Sequence, residues 1–306
     1  MKKELKWKNY LLKCNILNHV KCVVFFMKQI IQKIVIKSIG LYINLLSYVL
    51  PDKSFAIAYK LFSEPRKGKI KNHKIPKTLQ KAIHETHILN EHQFLTYTWQ
   101  GNDDVILLVH GWESNASRWK KLLVYLKKTG KTIIAIDGPA HGMSNGKEFN
   151  VPIYSEFIDK VVQKYNPKIA IGHSIGGNAI AYFQAHYKHN FEKIILLGAP
   201  SDFKVILNNY INMLSLNDFI HQSFINYTKK RFNLTIDELS ASKFLKDSTI
   251  SGLIAHDIDD NVVLFEEGEK ISNSWKNAKF IETKGLGHSM HDENLYQTIV
   301  EFVNTK

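Results

Sequence analysis

Ser174 stands in KIAIGHSIGG (168–177), where an apolar run enters Gly172-His173-Ser174-Ile175-Gly176 and a helical pattern begins at Gly177. A serine hydroxyl is a weak nucleophile until it is held clear of its neighbours and relieved of its proton by a base. The GxSxG spacing meets the first need, because Gly172 and Gly176 let a tight turn pass neighbouring chain without Cβ clashes. The helix that follows favours a developing anion at its N-terminus. The base expected from such chemistry is a histidine late in the chain. His288 follows the two glycines of GLGH (285–288) and fits that place, while His291 reads better as a helix start. A carboxylate must then orient the imidazole. SGLIAHDIDDNVV (251–263) ends an apolar run in three aspartates, of which Asp260 is preferred because Asn261-Val262-Val263 resumes packing behind it. Asp257 and Asp259 stay open as alternatives that also suit turn formation, and Asp202 in GAPSD is another.

The tetrahedral oxygen of acyl transfer needs two backbone donors. One is expected from Ile175, directly after the serine. The other is expected from Trp112 at the end of VILLVHGW (105–112), where Gly111 permits close approach. His110 reads as a turn residue rather than a proton carrier. His173 is expected to point away from the hydroxyl and bond locally, and His141 in DGPAHGMS (137–144) to shape a loop around the site. The chain has 14 histidines but no HxH or HExxH, and its two cysteines, Cys14 and Cys22, lack zinc spacing. No metal and no cofactor are therefore expected.

Positioning such a site requires a scaffold with loops at one edge. Apolar runs at 94–99, 105–109, 132–136, 169–171, 194–197, 250–255 and 279–281 alternate with helical spacing at 117–129, 153–165, 176–189 and 292–304. Short, fully apolar strands between helices imply an α/β fold with a mostly parallel sheet covered on both faces. From 201 to 248 the pattern is helical without a strand, which reads as a cap over the carboxyl edge of the sheet.

Charge divides the chain. Of 41 basic and 28 acidic side chains, residues 1–81 hold 18 and 3, and residues 82–306 hold 23 and 25. The basic character belongs to an N-terminal extension, which lacks the interleaved aromatics or zinc spacing of a nucleic-acid module, so no nucleic acid is expected as partner. Within it, 28–62 reads as helical with a break at Pro51, and 63–81 as a solvated linker. The apolar surface of 28–62 either docks on the chain itself or makes peripheral contact with a membrane. Lysines interrupt the apolar runs and no cleavage site follows, so export is poorly supported and a cytoplasmic, optionally membrane-associated protein is expected. A start at Met27 would remove the first stretch and make anchoring harder to dismiss.

The order HGW, DGPAHGMS, GHSIGG, HDIDDNV and GLGH resembles the α/β-hydrolase superfamily over 92–304. Within it, the chain is similar to a group of bacterial hydrolases whose N-terminal helical extension ends in a phrase like LFSEPRKG (61–68). The resemblance implies an eight-stranded, mostly parallel sheet, a catalytic Ser174–Asp260–His288 set, and an oxyanion hole from the Trp112 and Ile175 amides. One departure is Asp257, which stands where many members have glycine. The leading expectation is a serine hydrolase acting on a small or medium carboxylic ester, without a cofactor. A membrane-associated enzyme of lipase or lysophospholipase type and a non-catalytic binding protein on the same scaffold are the rivals. The oligomeric state is not legible.

Overall fold

The computed structural model describes residues 16–71 and 74–305; Cys14 and the side chains of His19 and Cys22 lie outside the described residues. The described residues form two compact units, 16–59 with 208–224, and 60–71 and 74–207 with 225–305.

In the first unit, helix α1 (Ile16–Ser47) runs to the turn before Pro51, and helix α2 (Pro51–Ser63) starts at that proline. Proline suits the first helical turn because its missing N–H would have no acceptor there. One face of α1, at Gly40, Ile43 and Ser47, is buried. A Cβ at Gly40 would fall 1.7 Å from the Leu214 carbonyl oxygen, so glycine sets the approach. Polar pairs fix the same face: Lys37 Nζ donates to Asn212 O (3.0 Å), Asn44 Nδ2 to Ser215 O (2.8 Å), and the Asn217 amide to Asn44 Oδ1 (2.9 Å). Phe55 packs edge-on against Phe224 at 5.2 Å, and the Tyr210 hydroxyl donates to Ala58 O.

The second unit contains helix α3 (Lys77–Gln80) and an eight-stranded sheet. In chain order its elements are β1 (Ile83–Leu89), β2 (His92–Trp99), β3 (Asn102–Val109), α4 (Lys120–Leu126), β4 (Lys131–Ile136), α5 (Val151–Tyr165), β5 (Ile169–His173), α6 (Ile175–His186) and β6 (Lys193–Leu197). There follow α7 (Phe203–Leu214) and α8 (Asp218–Phe232), whose residues 208–214 and 218–224 belong to the first unit, then α9 (Ala241–Leu245), β7 (Ser251–Asp257), α10 (Phe265–Ser274), β8 (Ala278–Thr283) and α11 (Glu293–Asn304). Strand order is β1-β2-β4-β3-β5-β6-β7-β8, antiparallel from β1 through β4 and parallel thereafter.

Alternation within the apolar strands divides the core. Leu107, Val109, Ile134, Ala170 and Ile194 join Phe157, Ile158, Ile180 and Phe183 of α5 and α6 on one face. Ile106, Leu108, Ile133, Ile171 and Ile195 join Leu122 and Leu126 of α4 and Leu295 and Ile299 of α11 on the other. Helix ends are capped by side chains, with Asn150 Oδ1 accepting from the Ile153 amide and Asp292 Oδ1 from the Leu295 amide.

Two elements escape the sequence pattern. Strand β1, IHETHIL, is an edge strand with most side chains exposed and only His87 buried, so it has no apolar run. Helix α10, FEEGEKISNS, buries only Glu267, Gly268 and Ile271. The stretch 63–81 also differs from a solvated linker. Ser63 and Leu79 are buried, and the compact boundary lies between Tyr59 and Lys60 instead of at 81, because 63–70 hydrogen-bonds to the sheet-bearing unit. The helical insertion after β6 is present as α7, α8 and α9, with 208–224 belonging to the first unit.

Candidate active site

Ser174 sits at the junction of β5 and α6 with φ +54° and ψ −131°. This is a strained conformation for a residue with a side chain, held by its surroundings. The Ser174 amide donates to Leu197 O and its carbonyl accepts from the Gly177 amide, both at 2.9 Å. The glycines are dictated by contact: a Cβ at Gly172 would meet Gly177 Cα at 2.5 Å, one at Gly176 would meet the Val109 and His110 carbonyl oxygens at 2.4 Å, and one at Gly111 would meet Ser174 Cβ at 2.8 Å.

His288 lies on the loop between β8 and α11, where Gly285 and Gly287 both take positive φ. Its Nε2 is 2.9 Å from Ser174 Oγ and its Nδ1 is 2.8 Å from Asp260 Oδ2. Asp260 is buried beyond the end of β7, and its Oδ1 accepts from the Val262 (2.8 Å) and Val263 (3.0 Å) amides. Burial pushes this carboxyl up, but the hydrogen bonds from His288 and the two amides outweigh it and leave it below the ordinary carboxylate value. Ser174 Oγ, an imidazole with each nitrogen engaged, and an ionised carboxylate thus form one line. Such a line can move a proton from a hydroxyl to an imidazole while the carboxylate holds the ring in the right tautomer.

The alternatives have other partners. Asp257 Oδ2 accepts from Thr283 Oγ1 and the Leu286 amide, and its Oδ1 from the Gly287 and Asp259 amides, so it ties the end of β7 to the loop bearing His288. Asp259 is exposed. Asp202 is engaged by Ser201, Ser240 and Lys270. His291 Nδ1 is 2.6 Å from the Tyr296 hydroxyl, and burial, reinforced by the Arg118 and Lys121 charges, pushes the ring down to about 4.

His173 Nε2 donates to the His288 carbonyl oxygen at 2.7 Å, and the two rings pack with centroids 4.8 Å apart. It therefore bonds to the loop that carries the base rather than within its own turn. Burial drives His173 well below the usual imidazole value, so it holds that loop as a neutral donor. His110 Nδ1 donates to Gly111 O and its Nε2 accepts from the Gly138 amide, so neither nitrogen is left for proton transfer. Burial brings it to about 4. The Ile175 amide opens α6, in the turn where helix amides lack an intrahelical acceptor. Trp112 lies in the loop after β3, its ring edge-on to His141 and Phe149. Among the described residues no three His, Cys, Asp or Glu side chains gather as metal ligands.

Residues 104–251 match the model of the alpha/beta hydrolase fold family. Together with the sheet order and the strand–turn–helix at Ser174, this settles the class. The chain has the alpha/beta hydrolase fold. Over 253 residues it is 23% identical to the bifunctional esterase/perhydrolase DCH of Acinetobacter calcoaceticus, covering 66% of this chain and 92% of that protein. It is 27% identical to the monoacylglycerol lipase of Mycolicibacterium smegmatis over 103 residues, 31% of this chain and 37% of that enzyme. Bromoperoxidase from Bacillus anthracis superposes with a TM-score of 0.58 at 18% identity, covering 73% of this chain and 100% of that one.

The fold carries further support for the site, part of it at His141 and part at positions that motif spacing did not single out. The segment 63–70 straps two loops. The Arg66 amide donates to Glu113 Oε1, Gly68 O accepts from Asn115 Nδ2 and from the Gly142 amide, and the Ile70 amide donates to Gly142 O. His141 Nε2 accepts from the Glu113 amide, one residue after Trp112, while its Nδ1 donates to Pro139 O. Buried Asp137 accepts from the Ala116 and Met143 amides and the Tyr97 hydroxyl. The signals were the phrases LFSEPRKG and DGPAHGMS, whose partners are remote in sequence.

Proposed function

We propose that this chain is a serine hydrolase cleaving carboxylic esters of small or medium acyl chain, with Ser174 as nucleophile, His288 as base and Asp260 as orienting acid. The carrying observation is the pair of hydrogen bonds made by His288, to Ser174 Oγ at 2.9 Å and to Asp260 Oδ2 at 2.8 Å. Ser174 Oγ attacks the ester carbonyl carbon as its proton passes to His288 Nε2. The imidazolium so formed is stabilised by Asp260 and returns the proton to the leaving alkoxide. Water, deprotonated by His288, then attacks the acyl-enzyme and releases the acid, regenerating the serine. The Trp112 and Ile175 amides hold the anionic oxygen, and the strap over Glu113 keeps the Trp112 loop in place. No cofactor takes part in this scheme. Similarity to an esterase/perhydrolase and to a monoacylglycerol lipase supports an ester substrate.

The test is hydrolysis of p-nitrophenyl acetate, butyrate and octanoate alongside labelling by a fluorophosphonate. Wild-type protein is expected to label and turn over, and Ser174→Ala to lose on the order of 10³-fold or more of kcat. Equal labelling of the two proteins removes the reading and leaves a non-catalytic member of the fold. A second reading takes the ester to be a membrane lipid, favoured by the exposed apolar side chains of α1. It predicts rising turnover with acyl length and with a monoacylglycerol as substrate.

A further inference from the structure

The packed face of α1 accounts for only one side of the helix. On the other side Val24, Met27, Ile31, Ile34, Leu41 and Leu45 recur at spacings of three, four and seven residues, each 55–60% exposed. At 100° per residue this stripe lies opposite Gly40, Ile43 and Ser47, which are buried in the first unit. An apolar stripe of this length left in water is unfavourable and marks a surface that something covers. The occupant is indicated by charge. Residues 5–51 contain seven lysines and no aspartate or glutamate. Lys28 and Lys33 are exposed and flank the stripe on either side. A second copy of α1 laid along the stripe would bring lysine against a face without a carboxylate, whereas an anionic headgroup layer complements both the stripe and its rims.

We propose that the open face of α1 lies in the interface of an anionic lipid bilayer, with the apolar stripe among the upper acyl chains and Lys28 and Lys33 at headgroup level. Residues Phe26–Ser47 are long and apolar enough to cross a bilayer. Crossing would carry the polar pairs of Lys37 and Asn44 with residues 212–217 into lipid, whereas lying along the surface keeps them intact. The bilayer is a partner independent of the ester chemistry at Ser174, so binding is read whether or not the protein turns over an ester.

The experiment is flotation of the full chain with vesicles of phosphatidylcholine alone or with about a third phosphatidylglycerol. The expected result is binding to the anionic vesicles, weakened on the order of tenfold by Ile31→Asp with Ile34→Asp and reduced by Lys28→Glu with Lys33→Glu. Salt at about 0.5 M weakens it as well. All four side chains are exposed, so circular dichroism of these variants matches wild type. Absence of wild-type flotation, or equal flotation of wild type and the isoleucine variant, overturns the proposal. Bound protein that resists alkaline carbonate makes α1 a span and overturns the interfacial placement. A solution dimer broken by Ile34→Asp, without vesicle binding, assigns the face to a second copy instead.

Discussion

Two aspartates three residues apart divide one task at the residue scale. Asp260 meets the imidazole of His288, while Asp257 accepts from Thr283 and from the Leu286 and Gly287 amides and so holds the backbone that delivers the imidazole. Burial raises the Asp257 carboxyl, but those hydrogen bonds prevail and leave it below the usual value. Asp257→Asn turns one accepting oxygen into a donor facing N–H groups. It is expected to cost about 2–3 kcal/mol and to lower kcat more than it changes KM, read from thermal melts and ester kinetics. An unchanged melting temperature and kcat would refute this role. Ser174 and His288 were legible because the one sits between glycines and the other directly follows two, each in a local phrase. The division between the aspartates was not, because the partners of Asp257 come from β8 and the following loop, 26 to 30 residues away.

Glycine and hydrogen bonding make an irregular segment structural at the element scale. Gly68 has φ +91°, and a Cβ there would fall 2.6 Å from Ser114 O, beside the loop that carries Trp112. Gly68→Ala is expected to destabilise the protein by about 1–3 kcal/mol through strain and clash. Because the strap bonds to Glu113 and Asn115, kcat is expected to fall further than KM rises. Wild-type stability and kcat in this variant would separate the strap from the site. Composition made 63–81 look solvated, since basic residues and prolines dominate it. Its interactions are nonetheless largely made by its backbone groups, which composition does not reveal. The same reasoning covers β1, which joins the sheet through β2 alone and therefore needs little apolar side chain.

Buried imidazoles govern acid stability at the scale of the whole molecule. Burial lowers His110 to about 4, His141 to about 3 and His291 to about 4. An unfolded histidine titrates near ~6.5, so below that pH the unfolded chain binds protons that the folded chain refuses. Stability contributed by these groups is complete above about pH 6.5 and falls as the pH drops toward their folded values. Asp257 and Asp260, with depressed carboxyls, add a loss below about pH 4. The melting temperature is expected to decline from about pH 6.5 downward, and His141→Asn to show a shallower decline from a lower plateau. A flat wild-type profile down to about pH 5 would contradict this account.

The sequence by itself determined the fold class and the positions of Ser174 and His288, since strand alternation, helical period and glycine turns are short-range properties of the chain. It also located the charge, confining the basic excess to residues 1–81. Only the tertiary structure decided which aspartate meets His288, where 63–70 is bound, and which face of α1 is packed and which is open. Each of these depends on groups brought together from distant positions, and hydrogen-bonding partners across such distances leave no periodic trace in the residues between them.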